Sequence, residues 1–200
     1  MITGPKYKMC RRLGSGVFEK CQTQKYTLSE GRKSTSGKRP KQLSGYGEQL
    51  LEKQRIRFSY GVSEKQFKNY VKYASSIKGA NASEKLYESL EARLDNITYR
   101  LGLAHTRNLS RQMVSHGHIL VNGKRTTVPS FKVKIGDVIT IREGSKKSVL
   151  FAELEKKQKT YSMPNWLSFD TARMEGKVIG VPKNADAFLN FNAVLEFYSR

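Results

Sequence analysis

The residues with the clearest chemical potential lie between 106 and 125, in the stretch TRNLSRQMVSHGHILVNGKR. Its polar side chains are nearly all hydrogen-bond donors, and the stretch contains no carboxylate. Arg107 and Arg111, four residues apart on a helix, would present forked donors to phosphate oxygens and ribose. The N-terminus of that helix would add partial positive charge and free N–H groups. The stretch therefore predicts a surface that binds a polyanion.

The charge of the whole chain agrees with a polyanionic partner. The 200 residues carry 37 Lys and Arg against 17 Asp and Glu, a formal net charge of +20. Residues 1–60 hold 14 basic and 4 acidic groups, and residues 106–150 hold 9 and 2. A charge serving solubility alone would be spread evenly, so two anion-facing surfaces are expected. Nucleic acid is favoured over a membrane because no long basic amphipathic helix is visible.

Catalysis and metal binding find little support. The three histidines have no obvious carboxylate or nucleophile nearby in sequence, and LGSG at 13–16 lacks the Lys-Ser/Thr of a P-loop. Cys10 and Cys21 fall short of the four thiolate or imidazole ligands of a structural zinc site, so two buried or free thiols are expected. No cofactor, metal, signal peptide or membrane span is expected, and the chain is predicted to be cytosolic.

Helix signals surround the donor-rich stretch. Residues 46–61 contain good helix formers and end in glycine. A capping box of Ser63 and Gln66 starts a second helix, which Gly79 is expected to close. The C-terminal sequence NAVLEFYSR is also predicted to be helical.

A third, longer helix is predicted from residue 81 or 83 to residue 101. Its expected buried stripe consists of Leu86, Leu90, Leu94, Ile97 and Leu101. Arg93, Asn96 and Arg100 follow one edge of this stripe. The pattern leaves two interpretations open, a solvated rim or a row of partner contacts.

The donor-rich stretch itself predicts a fourth, short helix followed by a β-hairpin. Thr106 is the expected N-cap, and Gly117 is the expected C′ residue. HILV predicts a strand, and the Asn-Gly pair at 122–123 predicts a type I′ turn. Two short strands are expected around the Gly-Asp pair at 136–137, and a further one in KVIGV.

Among nucleic acids, folded RNA is favoured. A DNA-reading helix-turn-helix is the rival, because few residues join the third and fourth helices. The immediate hairpin and the long basic N-terminal tail fit irregular RNA better. Within that tail, residues 27–45 are rich in Ser, Gly and Lys and cannot bury enough surface to become ordered alone. They either order against a phosphate backbone or form a solvated linker.

The sequence LEARLDNITYRLGLAHTRNLSRQMVSHGHILVNGKR, with VPSFKVKIGDVITI after it, resembles the RNA-binding module named after the fourth protein of the small ribosomal subunit. TGPKYKMCRRLG, LSGYGEQLLEKQRIRFSYGVSEKQFKNY and VLEFYSR resemble the N-terminus, first helical domain and C-terminus of that protein family. The resemblance covers residues 1–200. The module also occurs in some pseudouridine synthases and in a heat-shock RNA-binding protein. A synthase needs a further catalytic domain, for which the chain has no room, and a stand-alone stress factor should be far shorter.

The resemblance implies an α+β fold and a protein that is not an enzyme. It implies a basic extension (1–45), a mainly helical first domain (46–91) completed by the C-terminal segment (157–200), and an inserted RNA-binding module (92–156). The implied role is binding to a multi-helix junction of small-subunit rRNA, nucleation of the subunit body and a contribution to translational accuracy. Implied partners are the fifth small-subunit protein, neighbouring small-subunit proteins and mRNA where it enters the subunit. The expected location is the cytoplasm, with an organellar ribosome as the alternative.

Two sets of RNA-binding residues are predicted on this basis. The module surface comprises Arg107, Arg111, Lys124 and Arg125, with shorter-range contacts from Asn108, Ser110, Gln112, His116, His118 and Asn122, and with Arg93 beside them. The N-terminal surface comprises Arg11, Arg12, Lys53, Arg55 and Arg57, with a tail that wraps RNA through Arg32, Lys33, Lys38, Arg39 and Lys41. Cationic arms tucked against the chain's own acidic groups would contradict this assignment.

A departure from the family concerns zinc. Many relatives bind zinc through four N-terminal cysteines. Here Cys10 and Cys21 match two of these positions, while Tyr7 and Tyr26 stand at the others. The resemblance therefore implies an N-terminal fold held by packing and by RNA, without a metal.

Overall fold

The computed structural model of the protein describes residues 4–31, 42–151, 154, 158, 161–183 and 188–199. The chain forms two compact units, one from the described parts of Met1–Leu86 and Asn184–Arg200 and one from those of Tyr87–Lys183. Within these ranges, every helix is too short or too polar to cross a membrane.

Helices dominate the first unit, and the second unit mixes helices with a sheet. The helices are α1 (Lys6–Leu13), α2 (Gln24–Gly31), α3 (Gly45–Ser59), α4 (Glu64–Ser76), α5 (Ala82–Glu91), α6 (Leu94–Arg100), α7 (Arg107–Ser115), α8 (Glu143–Lys146) and α9 (Phe191–Ser199). The strands are β1 (Ile119–Val121), β2 (Lys124–Arg125), β3 (Val138–Ile141), β4 (Leu167–Asp170) and β5 (Glu175–Val178). The predicted α+β class is confirmed.

The predicted start of α4 rests on local capping chemistry. The Ser63 hydroxyl accepts a hydrogen bond from the Gln66 N–H, so α4 begins where the capping box indicates. The predicted end was too late, because α4 stops at Ser76 and Ile77 is already extended. Gly79, with φ of +79°, lies in the turn beyond the helix.

The predicted long third helix is wrong, because the chain forms α5 and α6 instead. Arg93 has extended backbone and pairs with Lys132 in an isolated antiparallel bridge. The N–H of Leu94 donates to the Phe131 carbonyl, and the N–H of Val133 donates to the Ala92 carbonyl. These non-local bonds replace the helical ladder at the break. The whole leucine-rich stripe is nevertheless buried, as predicted.

The second unit contains a five-stranded antiparallel sheet in the order β2-β1-β3-β5-β4. The hairpin prediction is confirmed: Val121 pairs with Lys124, and φ is +49° at Asn122 and +75° at Gly123. The segment around 136–137 gives one strand, β3, where two were predicted. Strand β4 was not predicted, and β5 begins two residues before the predicted KVIGV strand.

The predicted domain limits differ from these two units. Residues 157–200 were expected to complete the helical domain as one segment. Instead, β4 and β5 lie in the sheet of the second unit, whereas α9 packs against α3 in the first. Strand β3 pairs with β1 along one edge, and β5 pairs along the other edge, which would otherwise expose unpaired backbone groups.

The first unit contains an N-terminal cluster, defined here as the buried residues Cys10, Leu13, Val17, Phe18, Cys21 and Tyr26 with Tyr7 packed against them. Cys10 and Cys21 are both buried, but they form a disulfide, so the expectation of two thiols is wrong. The cause lies in the fold, because α1 and the 3-10 turn Glu19–Gln22 face each other across this cluster.

Candidate nucleic-acid interface

The helix at the centre of the predicted interface is α7, and its limits follow from its caps. The Thr106 hydroxyl accepts a hydrogen bond of 3.1 Å from the Leu109 N–H. Gly117, with φ of +74°, ends the helix in the left-handed conformation that glycine adopts without strain. Met113 is buried in the core of the second unit, so the opposite face of α7 points outward.

Beneath α7, a buried ion pair lies at the start of α6, and a hydrogen bond from Ser110 joins α6 to α7. The Arg93 guanidinium donates to both carboxylate oxygens of Asp95, at 3.0 and 2.6 Å, and Arg93 is only 1% exposed. The Ser110 hydroxyl, fully buried, donates to the Asp95 carbonyl. Burial places Arg93 and Ser110, both predicted RNA contacts, in the interior of the module, where neither side chain is exposed to a ligand.

A second carboxylate, Glu91, binds members of the row Arg93, Asn96 and Arg100, for which the sequence allowed either a solvated rim or a row of partner contacts. Glu91 is fully buried and accepts hydrogen bonds from Arg100 at 2.8 and 3.0 Å and from the Asn96 amide nitrogen at 2.7 Å. Asn96 is itself buried, so neither interpretation holds for it. The row is a set of internal supports.

Asn96 connects Glu91 to Arg107 through hydrogen bonds of its side-chain amide. Its amide oxygen accepts a hydrogen bond of 2.9 Å from Arg107 Nε, and the guanidinium lies 4.4 Å from the centre of the Tyr99 ring. The amide and the cation–π contact hold Arg107 in one direction at the edge of α7. Arg107 is half-buried and therefore partly available to a ligand.

The remaining cations of the module are more open. Arg111 Nη1 lies 3.5 Å from Asp95 Oδ2, and its side chain is 32% exposed. Lys124 and Arg125 are exposed on β2 and have no carboxylate partner among the described residues. Arg125 Nη2 donates to the His116 carbonyl at 3.2 Å, which draws the hairpin toward the end of α7.

The predicted shorter-range contacts divide into two groups. Gln112 and His116 are exposed, and Asn108 is half-buried. Asn122 uses its side chain internally: its amide donates to Asp137 at 2.8 Å and its oxygen accepts from the Val138 N–H at 2.9 Å. His118 is half-buried, with Nδ1 2.9 Å from the Ser145 hydroxyl.

Helix α3 of the first unit presents a different picture. Lys53 and Arg57 both reach Glu64, at 2.9 and 2.8 Å, and Arg55 pairs with Glu52 and donates to the Leu13 carbonyl at 2.7 Å. These three predicted RNA contacts are therefore occupied by the chain's own carboxylates. Arg11 and Arg12 stay exposed. The predicted contacts of the tail, Arg32, Lys33, Lys38, Arg39 and Lys41, lie outside the described residues.

The pairing of Glu64 with Lys53 and Arg57 changes the pKa of its carboxyl group. Burial by itself would raise the pKa of Glu64. Hydrogen bonds from Lys53 and Tyr198, with the charges of Lys53 and Arg57, outweigh burial and hold the pKa below its usual value. Burial and the neighbouring Glu64 raise the pKa of Tyr198.

The four N-terminal positions for which the resemblance implied a zinc site in other members, Tyr7, Cys10, Cys21 and Tyr26, do come together in space, but they do not fit zinc. The two sulfurs are bonded to each other, and the Tyr7 and Tyr26 rings pack edge to face at 5.3 Å. Burial, helped by Glu30, raises the pKa of the Tyr26 phenol, which stays neutral and is a poor metal ligand. Across the described parts of the chain, no cluster of three or more His, Cys, Asp or Glu could hold a metal ion.

Sequence reasoning missed Glu91, Asp95 and Asn96 as the residues that position the cations. The sequence showed only two carboxylates four residues apart beside the leucine-rich stripe, and the structure places Glu91 in α5 and Asp95 in α6. The sequence did not predict which arginine each carboxylate would pair with.

Comparison with known proteins decides the family. Residues 1–91 match the family profile described as "Ribosomal protein S4/S9 N-terminal domain", and residues 92–139 match the "S4 domain". The chain is 42% identical over 203 residues to the small ribosomal subunit protein uS4 of Streptococcus thermophilus, covering 99% of this chain and 97% of that protein. The chain belongs to the uS4 family. Similar proteins of the same name occur in Cupriavidus pinatubonensis, 44% identical over 99% of this chain and 98% of the relative, and in Dehalococcoides mccartyi, 41% identical over the same shares.

Membership in the uS4 family confirms the resemblance seen in the sequence. The chain is a ribosomal protein rather than an enzyme, as predicted. The S4 domain match at 92–139 includes α6, α7 and the β1–β2 hairpin, and thus all the cations of the module described above.

Proposed function

We propose that this uS4 protein is a primary rRNA-binding protein that nucleates assembly of the small-subunit body at a multi-helix junction. Its family membership makes it a structural component of the small subunit that binds rRNA. The observation that supports the finer role is the arrangement around α7. There the buried carboxylates of Asp95 and Glu91 pair with Arg93 and Arg100 beneath the surface, and the outer cations are held on a rigid frame.

The mechanism is electrostatic and geometric. Arg107 and Arg111 offer forked donors along α7, and Lys124 and Arg125 offer two more cations from the hairpin. Because α7 and the hairpin share one packed core, phosphates bound at both places are fixed relative to each other. A component that fixes two RNA segments in this way favours the folded junction over its open forms.

Contact with the fifth small-subunit protein is proposed on a different surface, a groove between α3 and α9 of about 700 Å³. Its lining includes Glu48, Glu52 and Glu196 against one cation, Arg55, which pairs with Glu52, so the lining keeps a negative charge that repels phosphate. A negatively charged lining suits a basic protein side chain better than RNA. Through this contact, and with mRNA passing nearby, the protein would contribute to translational accuracy in cytoplasmic ribosomes.

The RNA assignment is tested by Arg107→Ala combined with Arg111→Ala. We expect affinity for an rRNA junction fragment to fall about tenfold at 0.1 M salt, since two phosphate contacts are lost. The matched control is Lys147→Ala with Lys177→Ala, which removes the same charge from exposed positions elsewhere in the second unit. Thermal unfolding of both variants checks that the fold persists.

Unchanged affinity of the arginine variant, with a folded protein, would reject this helix face as the interface. A second measurement tests the structural role. The protein should co-sediment with small subunits after a high-salt wash, because an assembly component stays with the particle whereas a transient factor dissociates.

A further inference from the structure

Helix α4 carries a lysine row that the interface described above does not include. Lys65, Lys68 and Lys72 follow the spacing i, i+3 and i+7, which places them within about 60° of one another on the helix surface. All three are exposed. The lysine row, as these residues are called below, extends over about 10 Å of the helix.

The lysine row is distinguished from the cations of α3 by its lack of carboxylate partners. Glu64, at the start of α4, is already bound by Lys53, Arg57 and the Tyr198 hydroxyl. Within the described residues, the ammonium groups of the lysine row form no ion pair. Their charge is therefore available to a ligand, whereas the charge of α3 is largely compensated.

Beside the lysine row lies an aromatic ring with neutral polar groups. Tyr73 is 49% exposed, and Asn69 and Ser76 lie on the same side of α4. On the opposite side, Phe67 and Val71 are buried in the first unit. The apolar face of α4 is thus already used, so the helix cannot insert that face into a lipid surface.

We propose that the lysine row is a further RNA-binding site, in which three ammonium groups bind consecutive phosphates and Tyr73 supports an unstacked base. Cations with an adjacent aromatic ring are the chemistry that binds single-stranded or irregular RNA. An acidic protein is the weaker fit, because protein interfaces are depleted in lysine and need an exposed apolar centre. The inference rests on the proposed function in taking small-subunit rRNA as the ligand.

The test compares the full-length protein with the variant Lys65→Gln, Lys68→Gln, Lys72→Gln. We expect affinity for small-subunit rRNA at 0.1 M salt to fall at least about tenfold, and the log–log salt slope to become shallower by about 2 to 3. The charge-matched control, Lys147→Gln, Lys177→Gln, Lys183→Gln, should change both quantities much less. The variant Lys65→Arg, Lys68→Arg, Lys72→Arg should bind like the wild type.

A second measurement avoids dependence on any variant. Lysines of the wild-type protein are acetylated with and without rRNA, and the lysine row should be protected only in the complex. If the wild type binds rRNA, the glutamine variant binds with the same affinity, and the lysine row is not protected from acetylation, the proposal for the lysine row is wrong and the proposed function stands. No rRNA binding by the wild type would overturn the proposed function as well. Protection by poly-glutamate but not by rRNA would assign the row to an acidic protein instead.

Discussion

The cations of α7 and β2 and those of α3 look alike in sequence but differ in what surrounds them. Under α7, Asp95 and Glu91 are buried and bind mainly Arg93 and Arg100, which leaves the outer cations exposed or half-buried. Around α3, the half-buried Glu52 and the more exposed Glu64, at the start of α4, bind the cations of α3 that were expected to meet RNA. Cationic residues are thus a measure of binding potential only after their internal partners are known.

The largest expected effect concerns Asp95, one of the two buried carboxylates of the module. Asp95→Ala leaves the Arg93 guanidinium buried without its bidentate partner, and we expect a loss of about 3–5 kcal/mol in unfolding free energy. Glu64→Ala, on α4, should cost less than about 1 kcal/mol, because that side chain is 45% exposed. Urea denaturation measures both. Equal costs would show that the two regions do not differ in the proposed way.

Reduction of the disulfide in the N-terminal cluster should have the second-largest effect on stability. This disulfide closes a loop with a sequence separation of 11, which corresponds to about 3 kcal/mol by the chain-entropy relation. Dithiothreitol should lower the thermal stability of the first unit seen by circular dichroism. The single tryptophan, Trp166, lies in the second unit, and its fluorescence transition should not move.

The double variant Cys10→Ala, Cys21→Ala is the control for this measurement, because its transitions should not respond to reductant. A shift of the tryptophan transition in the wild type, or no shift in the first unit, would contradict the prediction.

The contrast in RNA binding is tested by two triple variants of equal charge. Arg111→Gln, Lys124→Gln, Arg125→Gln should make the log–log salt slope shallower by about 2 to 3, as expected for three lost phosphate contacts. Lys53→Gln, Arg55→Gln, Arg57→Gln should change it by less than about 1, since those cations are already paired. Similar slopes for both variants would mean that RNA displaces Glu52 and Glu64 from the cations of α3.

The smallest effect is the pH dependence contributed by Glu64. Its pKa is lowered in the folded protein, so its stabilising contribution is present above the ordinary value of 4.5 and is lost as the pH falls toward the folded pKa. Glu64→Gln should therefore flatten the acid side of the stability profile of the first unit. Urea midpoints measured between pH 3 and 7 check this, and a parallel profile in the variant would exclude Glu64 as a source.

Local chemistry made several elements predictable. Ser63, Thr106 and Gly117 mark helix limits through hydrogen bonds or backbone conformations that depend on a few neighbouring residues. The Asn-Gly turn at 122–123 was equally readable, because its conformation requires residues that accept positive φ.

Non-local pairing explains what could not be predicted. The leucine-rich stripe continues at helical spacing through residue 93, yet backbone bonds to residues 129–133 break the helix there. Strand β4 depends on β5, and β5 depends on the free edge of β3. For the same reason the sequence predicted cations for the candidate interface but not their internal partners, since the arginine that pairs with Asp95 or Glu91 depends on distances in three dimensions.

The amide of Asn96 has a further consequence for RNA binding. Its nitrogen faces a carboxylate and its oxygen faces a guanidinium, so turning the amide over would set donor against donor and acceptor against acceptor. Arg107 therefore loses few rotamers when a ligand arrives, and most of its immobilisation entropy is already lost on folding. In the proposed RNA interface, an arginine restrained in this way would lower the entropic cost of binding and slow the release of RNA.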